Sequence, residues 1–198
     1  MKPDFALLLS FDGIALLRRA AAYGEPEDGW YVLGTVAPSV SDMNAALAEV
    51  RARAVEIAPG GDPEVKLVLP SEQVKFLDID KPGTDVPMAR AVEIALDGAT
   101  PYAIDELVYD FHVDGDRLHI AAVARETLDE AESFATSNGF MPLGYVSDIA
   151  EGAGFGREPF FGPTQQALTT LTPGVTVQGD ESPIVILDGP PPAEATAA

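Results

Sequence analysis

The chain has no cysteine, which removes disulfide scaffolds, thiolate metal sites and cysteine nucleophiles. Cations are scarce as well: 12 Lys and Arg stand against 32 Asp and Glu in 198 residues, a formal net charge of −20. Nonspecific affinity for nucleic acid depends on Lys and Arg displacing counterions from phosphate, so no nucleic-acid partner is expected. The same charge disfavours anionic membrane surfaces, and no stretch approaches the roughly 18 to 20 apolar residues that span a bilayer, so no membrane insertion of this chain is expected. Met1-Lys2-Pro3-Asp4 is not followed by an apolar leader ending in small residues, so no signal peptide is expected, and the cytoplasm suits a chain without cysteine. Catalytic signatures are missing too. There is no Gly-x-Ser-x-Gly elbow and no Gly-x-x-x-x-Gly-Lys-Ser/Thr loop, which excludes serine hydrolases of that type and P-loop GTPases.

What is present is a long alternation of strand and helix patterns, in a chain of about one domain's length. Residues 86 to 148 are the most informative. Val86, Met88, Val92, Ala95 and Leu96 recur at helical spacing with Arg90, Glu93 and Asp97 on the other side, and Gly98 ends the helix. Leu107, Tyr109, Phe111 and Val113 then alternate with Val108, Asp110 and His112, a half-buried strand whose polar side faces solvent. Asp114-Gly115 turns the chain into Leu118–Ala124, apolar enough to be covered on both faces. Thr127 and Glu130 read as a capping box opening a helix with Leu128, Ala131, Phe134 and Ala135 on its buried stripe, and Asn138-Gly139 stops it before a strand from Phe140 to Val146.

Residues 5 to 80 read as β-β-β-α-β-β. Phe5–Leu9 and Ile14–Leu17 flank a tight turn at Ser10-Phe11-Asp12-Gly13, Gly24 to Gly29 form a loop, and Trp30–Val36 is a third strand. A helix then starts at Ser39 or Ser41, with Met43, Leu47, Val50, Ala54 and Ile57 on one face, and ends at Pro59-Gly60-Gly61. Val65–Leu69 and Val74–Ile79 follow as strands.

Beyond Asp148, Gly and Pro crowd a short span and no basic residue follows Arg157. Residues 149 to 188 therefore read as a linker or poorly packed extension, with Val175–Val177 and Ile184–Leu187 as candidate edge strands or as parts of something outside this chain. Residues 189 to 198, rich in Pro and Ala, are expected to be a disordered tail. Such an ending is expected where a further domain or a downstream membrane span follows. On this reading 1 to 148 is the folded domain.

The runs Val65-Lys66-Leu67-Val68-Leu69-Pro70 and Val74-Lys75-Phe76-Leu77, the helix Ala89 to Asp97, and Asp105 to Phe111 with the strand, helix and strand after it resemble a known family. They are similar to the cytoplasmic actin-like, ribonuclease-H-like domain of the type II secretion L protein and type IV pilus M protein. The resemblance covers about residues 5 to 148 and is one of pattern. It implies an α/β fold, a mixed five-stranded sheet with packed helices, and work as a non-enzymatic scaffold whose partners are other proteins of an inner-membrane assembly. The alternative it carries is a partial actin-like nucleotide-binding ATPase domain. Against that alternative, nucleotide-binding members use a small Gly- and Ser-rich turn between the first two strands, and this chain has bulky Phe11 there with a single glycine.

Other chemistry has bland competitors. Asp12, Glu72, Asp78, Asp80 and Asp110 are the set a two-metal nuclease would draw on, but Asp12 is a turn residue and a chain with 32 acidic residues always has some adjacent. His112 and His119 lie opposite each other across the hairpin and with one Asp would make only a weak metal site, so ordinary cross-strand pairing is favoured. Gly152 to Gly156 has no strand before it and no helix after it, so it is no dinucleotide fingerprint. Trp30 and Tyr31 are candidates for a partner anchor or, more simply, for the core. No catalytic, cofactor or metal residues are assigned, and no cofactor is expected.

Overall fold

The computed structural model describes residues 1–24, 29–58 and 60–192. Pro59, most of the loop between Gly24 and Gly29, and residues 193–198 of the expected tail lie outside the described residues. Among the described residues nine strands and four helices run in the order β1 (Phe5–Ser10), β2 (Gly13–Arg19), β3 (Trp30–Val36), α1 (Met43–Ile57), β4 (Glu64–Leu69), β5 (Lys75–Asp80), α2 (Met88–Leu96), β6 (Leu107–Asp114), β7 (Arg117–Ala124), α3 (Arg125–Ser137), β8 (Met141–Ser147), β9 (Phe160–Pro163) and α4 (Gln165–Thr170).

The strands divide between two sheets, where one five-stranded sheet was expected. A six-stranded sheet has the order β3-β2-β1-β4-β8-β9, and a three-stranded sheet has the order β5-β7-β6. Within the larger, β1, β4 and β8 are parallel to one another, and β2 pairs antiparallel with both β1 and β3. The sheet is mixed, as the resemblance implied, but has six strands where five were expected. β9 is added at the far edge, antiparallel to β8.

One face of the large sheet is packed by helices. Leu7, Leu16, Val65, Leu67 and Leu69 meet Leu47, Val50 and Ala54 of α1 and Leu128, Ala131 and Ala135 of α3 in a single core. Periodicity explains both helices, since their buried residues recur every three or four positions. The small sheet is sandwiched. Its Phe76, Val108, Ala121 and Val123 turn into that core, while Leu77, Ile79, Tyr109, Phe111, Leu118 and Ile120 pack on Val92 and Leu96 of α2. The alternation read from β6 is therefore what places Tyr109 and Phe111 under α2 and Val108 toward the main core.

Both hairpins are two-residue turns. Phe11-Asp12 joins Ser10 to Gly13, and Gly115-Asp116 joins Asp114 to Arg117. In the second, Gly115 has φ +55 and Asp116 is not left-handed, the sign pattern of a type II′ turn. Helix starts differ from expectation. Asp42, rather than Ser39 or Ser41, caps α1 by accepting from the N–H of Ala45 at 3.0 Å. The α3 helix begins at Arg125 behind Ala124 with no side-chain cap, so Thr127 and Glu130 lie inside it and make no capping box.

The segment after Asp148 is packed, contrary to its reading as a loose extension. Phe155, Glu158, Phe161, Thr164, Ala167, Val177 and Asp180 are buried. Its strand is Phe160–Pro163, missed in the sequence because Gly162 and Pro163 read as a breaker, whereas residues 175–177 form no strand and residue 186 makes one isolated bridge to Trp30. Leu67 sits wholly buried in the central strand under both helices. Leu67→Ala should lower unfolding stability by about 2–5 kcal/mol, measured by denaturant titration, with the midpoint moving and the slope retained.

Candidate functional site

In open α/β sheets, ligands meet the carboxyl ends of parallel strands. Here the ends of β1 and β4 open on a cleft of about 250 Å³ between the β1–β2 turn and α3. Leu9, Phe11, Ile14, Leu69, Pro70 and Phe134 give it an apolar lining, Glu130 and Thr127 stand at the α3 side, and no lining residue is Lys or Arg. A second cleft of about 400 Å³, with Glu72, Lys75 and Tyr102 on its wall, shares Gln73 and Thr127 with the first and runs beside the small sheet.

The β1–β2 turn is built for something other than phosphate. The hydroxyl of Ser10 donates to the Gly13 carbonyl at 2.8 Å, so it is used inside the turn. Gly13 has φ +142, and a Cβ there would stand 2.5 Å from the Val36 carbonyl oxygen. Glycine is required by the close approach of β3. Phe11, 68% exposed, projects from the tip where a phosphate loop needs bare backbone. An apolar cleft with a carboxylate and no cation repels an anion and suits apolar side chains of another polypeptide.

The carboxylates weighed for metal chemistry do not converge. Among the described residues no group of three or more His, Asp or Glu is placed to hold a metal ion. Asp12 is exposed at the turn and Glu72 on the 3-10 turn after β4. Asp78 and Asp80 both pair with Arg117 across the small sheet, and the Arg117 hydrogen bond holds the Asp78 carboxyl below its usual range. Asp110, expected in solvent, is partly buried. It takes a two-pronged bond from Arg157 at 2.6 and 2.8 Å and accepts the Phe160 N–H at 2.9 Å, because the segment carrying β9 passes over that face. The same bond raises the Arg157 pKa.

His112 and His119 are in register as expected, and His119 is buried. Its cover is Gly154, with φ +65, where a Cβ would lie 2.7 Å from Cε1 of the His119 ring. Gly154 thus serves close packing, whereas a Cβ at Gly152 would meet open space. Trp30 is in the core, and Tyr31 is half-buried with its ring edge-on to Tyr23 at 5.8 Å.

Sequence reading missed the most polar buried site. Lys66, on β4 at the centre of the large sheet, points to the face opposite α1 and α3, where its ammonium bonds Glu158 and, at 2.7 Å, Asp180. Arg19 reaches Asp180 at 2.8 Å and Lys2 reaches it at 3.3 Å. Lys66 and Arg19 also lie over the Trp30 ring at 4.4 and 4.3 Å. Glu158 bonds the Asp180 N–H at 3.1 Å. A lysine inside a strand at a core position was the available signal.

No protein-family model and no curated protein matches this sequence. Solved structures do. The cytoplasmic domain of EpsL, an inner membrane component of the type II secretion system of Vibrio cholerae, is 16% identical over 71% of this chain and 55% of that one, with a TM-score of 0.47. A PilM-PilN type IV pilus biogenesis complex is 17% identical over 74% of this chain and 47% of that one, with a TM-score of 0.50. These two solved neighbours are secretion and pilus components. They come from the two groups that the sequence resembles, and the likeness to the PilM-PilN structure is one of fold. The chain spans about half the length of the structures it matches. Among the described residues no helix is long and apolar enough to cross a membrane.

The ion cluster makes a pH prediction. Burial opposes ionisation of Asp180, but Arg19 and Lys66 outweigh it and bring its pKa from 3.8 to about 2. A lowered carboxylate pKa stabilises the fold above 3.8, and that contribution is lost as pH falls toward about 2. Glu158 has the opposite sign, since burial raises its pKa against the pull of Lys66, so its protonation adds no loss of stability as pH falls. Unfolding free energy should therefore fall through the window between 3.8 and about 2, and Asp180→Asn should flatten that part of the curve.

Proposed function

We propose that the chain is a non-enzymatic assembly module that docks other proteins in the cytoplasm, at an inner-membrane machine of the secretion or pilus kind, with the cleft between the β1–β2 turn and α3 as the docking surface. The observation that carries this is the cleft itself: apolar, free of Lys and Arg in its lining, and edged by the exposed ring of Phe11. The solved neighbours support the setting, one being an inner membrane component's cytoplasmic domain and the other a complex of two proteins.

A second reading is a partial actin-like nucleotide-binding ATPase. It draws on the position of the cleft at the ends of β1 and β4, next to the turn that binds phosphate in nucleotide-binding members of the fold. Phe11 and the absence of a lining cation weigh against it.

Titration calorimetry with magnesium-ATP separates the two. No heat is expected, and heat that disappears in Asp12→Ala would establish the nucleotide reading instead. For docking, the full chain should retain the protein encoded beside it in a pull-down at micromolar concentration. Phe11→Ser should weaken that retention at least about tenfold, the loss expected for one buried aromatic anchor, while its exposure keeps the stability change within about 0.5 kcal/mol. Equal retention by parent and variant would remove the cleft from the interface.

A further inference from the structure

The two faces of the large sheet are covered by different means. Opposite α1 and α3, α4 packs beside β8, and residues 173–188 run as a strap over the rest. The strap contains no helix or strand, only one parallel bridge between Trp30 and Ile186. Its main chain is held at three places, the middle one being the Asp180 N–H that Glu158 accepts at 3.1 Å. The Met1 ammonium donates to the Thr176 carbonyl and the Gln178 N–H to the Met1 carbonyl, and further on the Trp30 N–H bonds the Val185 carbonyl at 2.8 Å and the Leu187 N–H bonds the Trp30 carbonyl at 2.9 Å.

Few apolar groups anchor it. Val177 is buried and Ile184 and Leu187 half-buried, but Val175, Val185 and Ile186 are 43, 51 and 47% exposed. Between the anchors, Asp180 holds the strap by charge. A segment with so little apolar burial belongs to the low end of local stability. Beneath it lies an apolar field, Ala6, Leu17, Val68 and Val146 with half-buried Leu8 and Val32. Three of the chain's 12 cations, Lys2, Arg19 and Lys66, converge there on the single carboxylate of Asp180. Glu158 sits beside β9 and stays with Lys66 if the strap leaves, so Arg19 and Lys2 are the charges that departure would uncover.

We propose that the strap is a built-in occupant of a peptide-binding face, which takes in its place an extended segment of a partner protein bearing one carboxylate among aliphatic side chains. Three features of the face select that ligand. The carboxylate meets Arg19 and Lys66. The open edge of β3 offers both the N–H and the carbonyl of Trp30 for strand pairing. A large aliphatic side chain seven positions after the carboxylate finds room only because residue 29 is glycine: a Cβ there would lie 2.6 Å from Leu187 Cγ. In an acidic chain, this cationic spot gives the face a charge preference of its own. The face lies on the opposite side of the sheet from the cleft beside α3, so either can fail without the other.

Trp30 is the only tryptophan and lies under the strap at 3% exposure, which supplies the probe. In the full chain, Asp180→Asn and, separately, Leu187→Ser should each increase acrylamide quenching of Trp30 while far-UV circular dichroism is retained. A synthetic peptide spanning residues 175–188, added to Leu187→Ser, should restore the protection. The same peptide carrying Asp180→Asn should bind about tenfold more weakly, as expected on losing a charge-assisted bond. Unchanged quenching in both variants, loss of far-UV signal in both, or equal binding of the two peptides would overturn the proposal. A concentration-dependent dimer in sedimentation would overturn it also, since the occupant would then be the strap of a second copy.

Discussion

A lysine in the middle of a central strand sets a condition that the rest of the chain has to meet. Lys66 is 3% exposed with apolar neighbours on both sides of its strand, and an unpaired ammonium in such a place costs several kcal/mol. Its counterions arrive from 92 and 114 residues further on, Glu158 and Asp180. The sheet of residues 5 to 147 is therefore electrostatically incomplete without the segment that follows it. Such a cluster adds little net stability over an apolar replacement, but it specifies position. On the path taken, both carboxylates reach the ammonium while Trp30 lies beneath Arg19 and Lys66.

The same segment joins the two sheets. On its way to β9 it lays Gly154 on His119, buries Phe155 in the main core, and clamps Asp110 of β6 with Arg157. Charge pairing thus binds large sheet to small sheet from one side, while Phe76 and Val123 bind them by packing from the other. α4 is held in a similar way. Glu132 of α3 accepts the N–H groups of Gln165 and Gln166 and the Tyr145 hydroxyl; burial first, and then this bond, raises the Tyr145 pKa. Two helices on different parts of the sheet are linked through one carboxylate at a helix N-terminus.

Elements with a period were legible in the sequence. The steps of three and four in Met43 to Ile57 gave the α1 face, and the alternation of Leu107 to Val113 gave both sides of β6, because burial on one side imposes that spacing. The pattern could not say which sheet a strand joins. Phe76 and Leu77 point opposite ways and both find apolar cover, so β5 fits equally well at the edge of one large sheet or in a small separate one. Helix starts were misread because capping residues are common near any turn: Asp42 won over Ser39 and Ser41, and Ala124 serves with no side-chain bond at all. The candidate cleft was half legible. Phe11 in the turn argued against phosphate, but that α3 would close an apolar pocket over it depends on packing across 120 residues of chain. The Lys66 cluster had one local signature, the lysine within an apolar strand, but ion pairs so distant in sequence leave no spacing that names its partners.

The cations of this protein are largely spent on its own carboxylates and carbonyls. Arg19 and Lys66 are turned to Asp180, Arg117 to β5, Arg157 to Asp110, Arg51 to Asp62 and Arg90 to Glu93. The outer surface is left to behave as a polyanion. Neighbouring copies brought close together would push each other apart, and the repulsion would reach only about 8 Å at physiological ionic strength. A positively charged neighbour would be drawn in from that range and at a rate that declines as salt is added. Inward investment of positive charge in this way makes spacing between copies, as well as choice of companion, a property of the electrolyte around the protein.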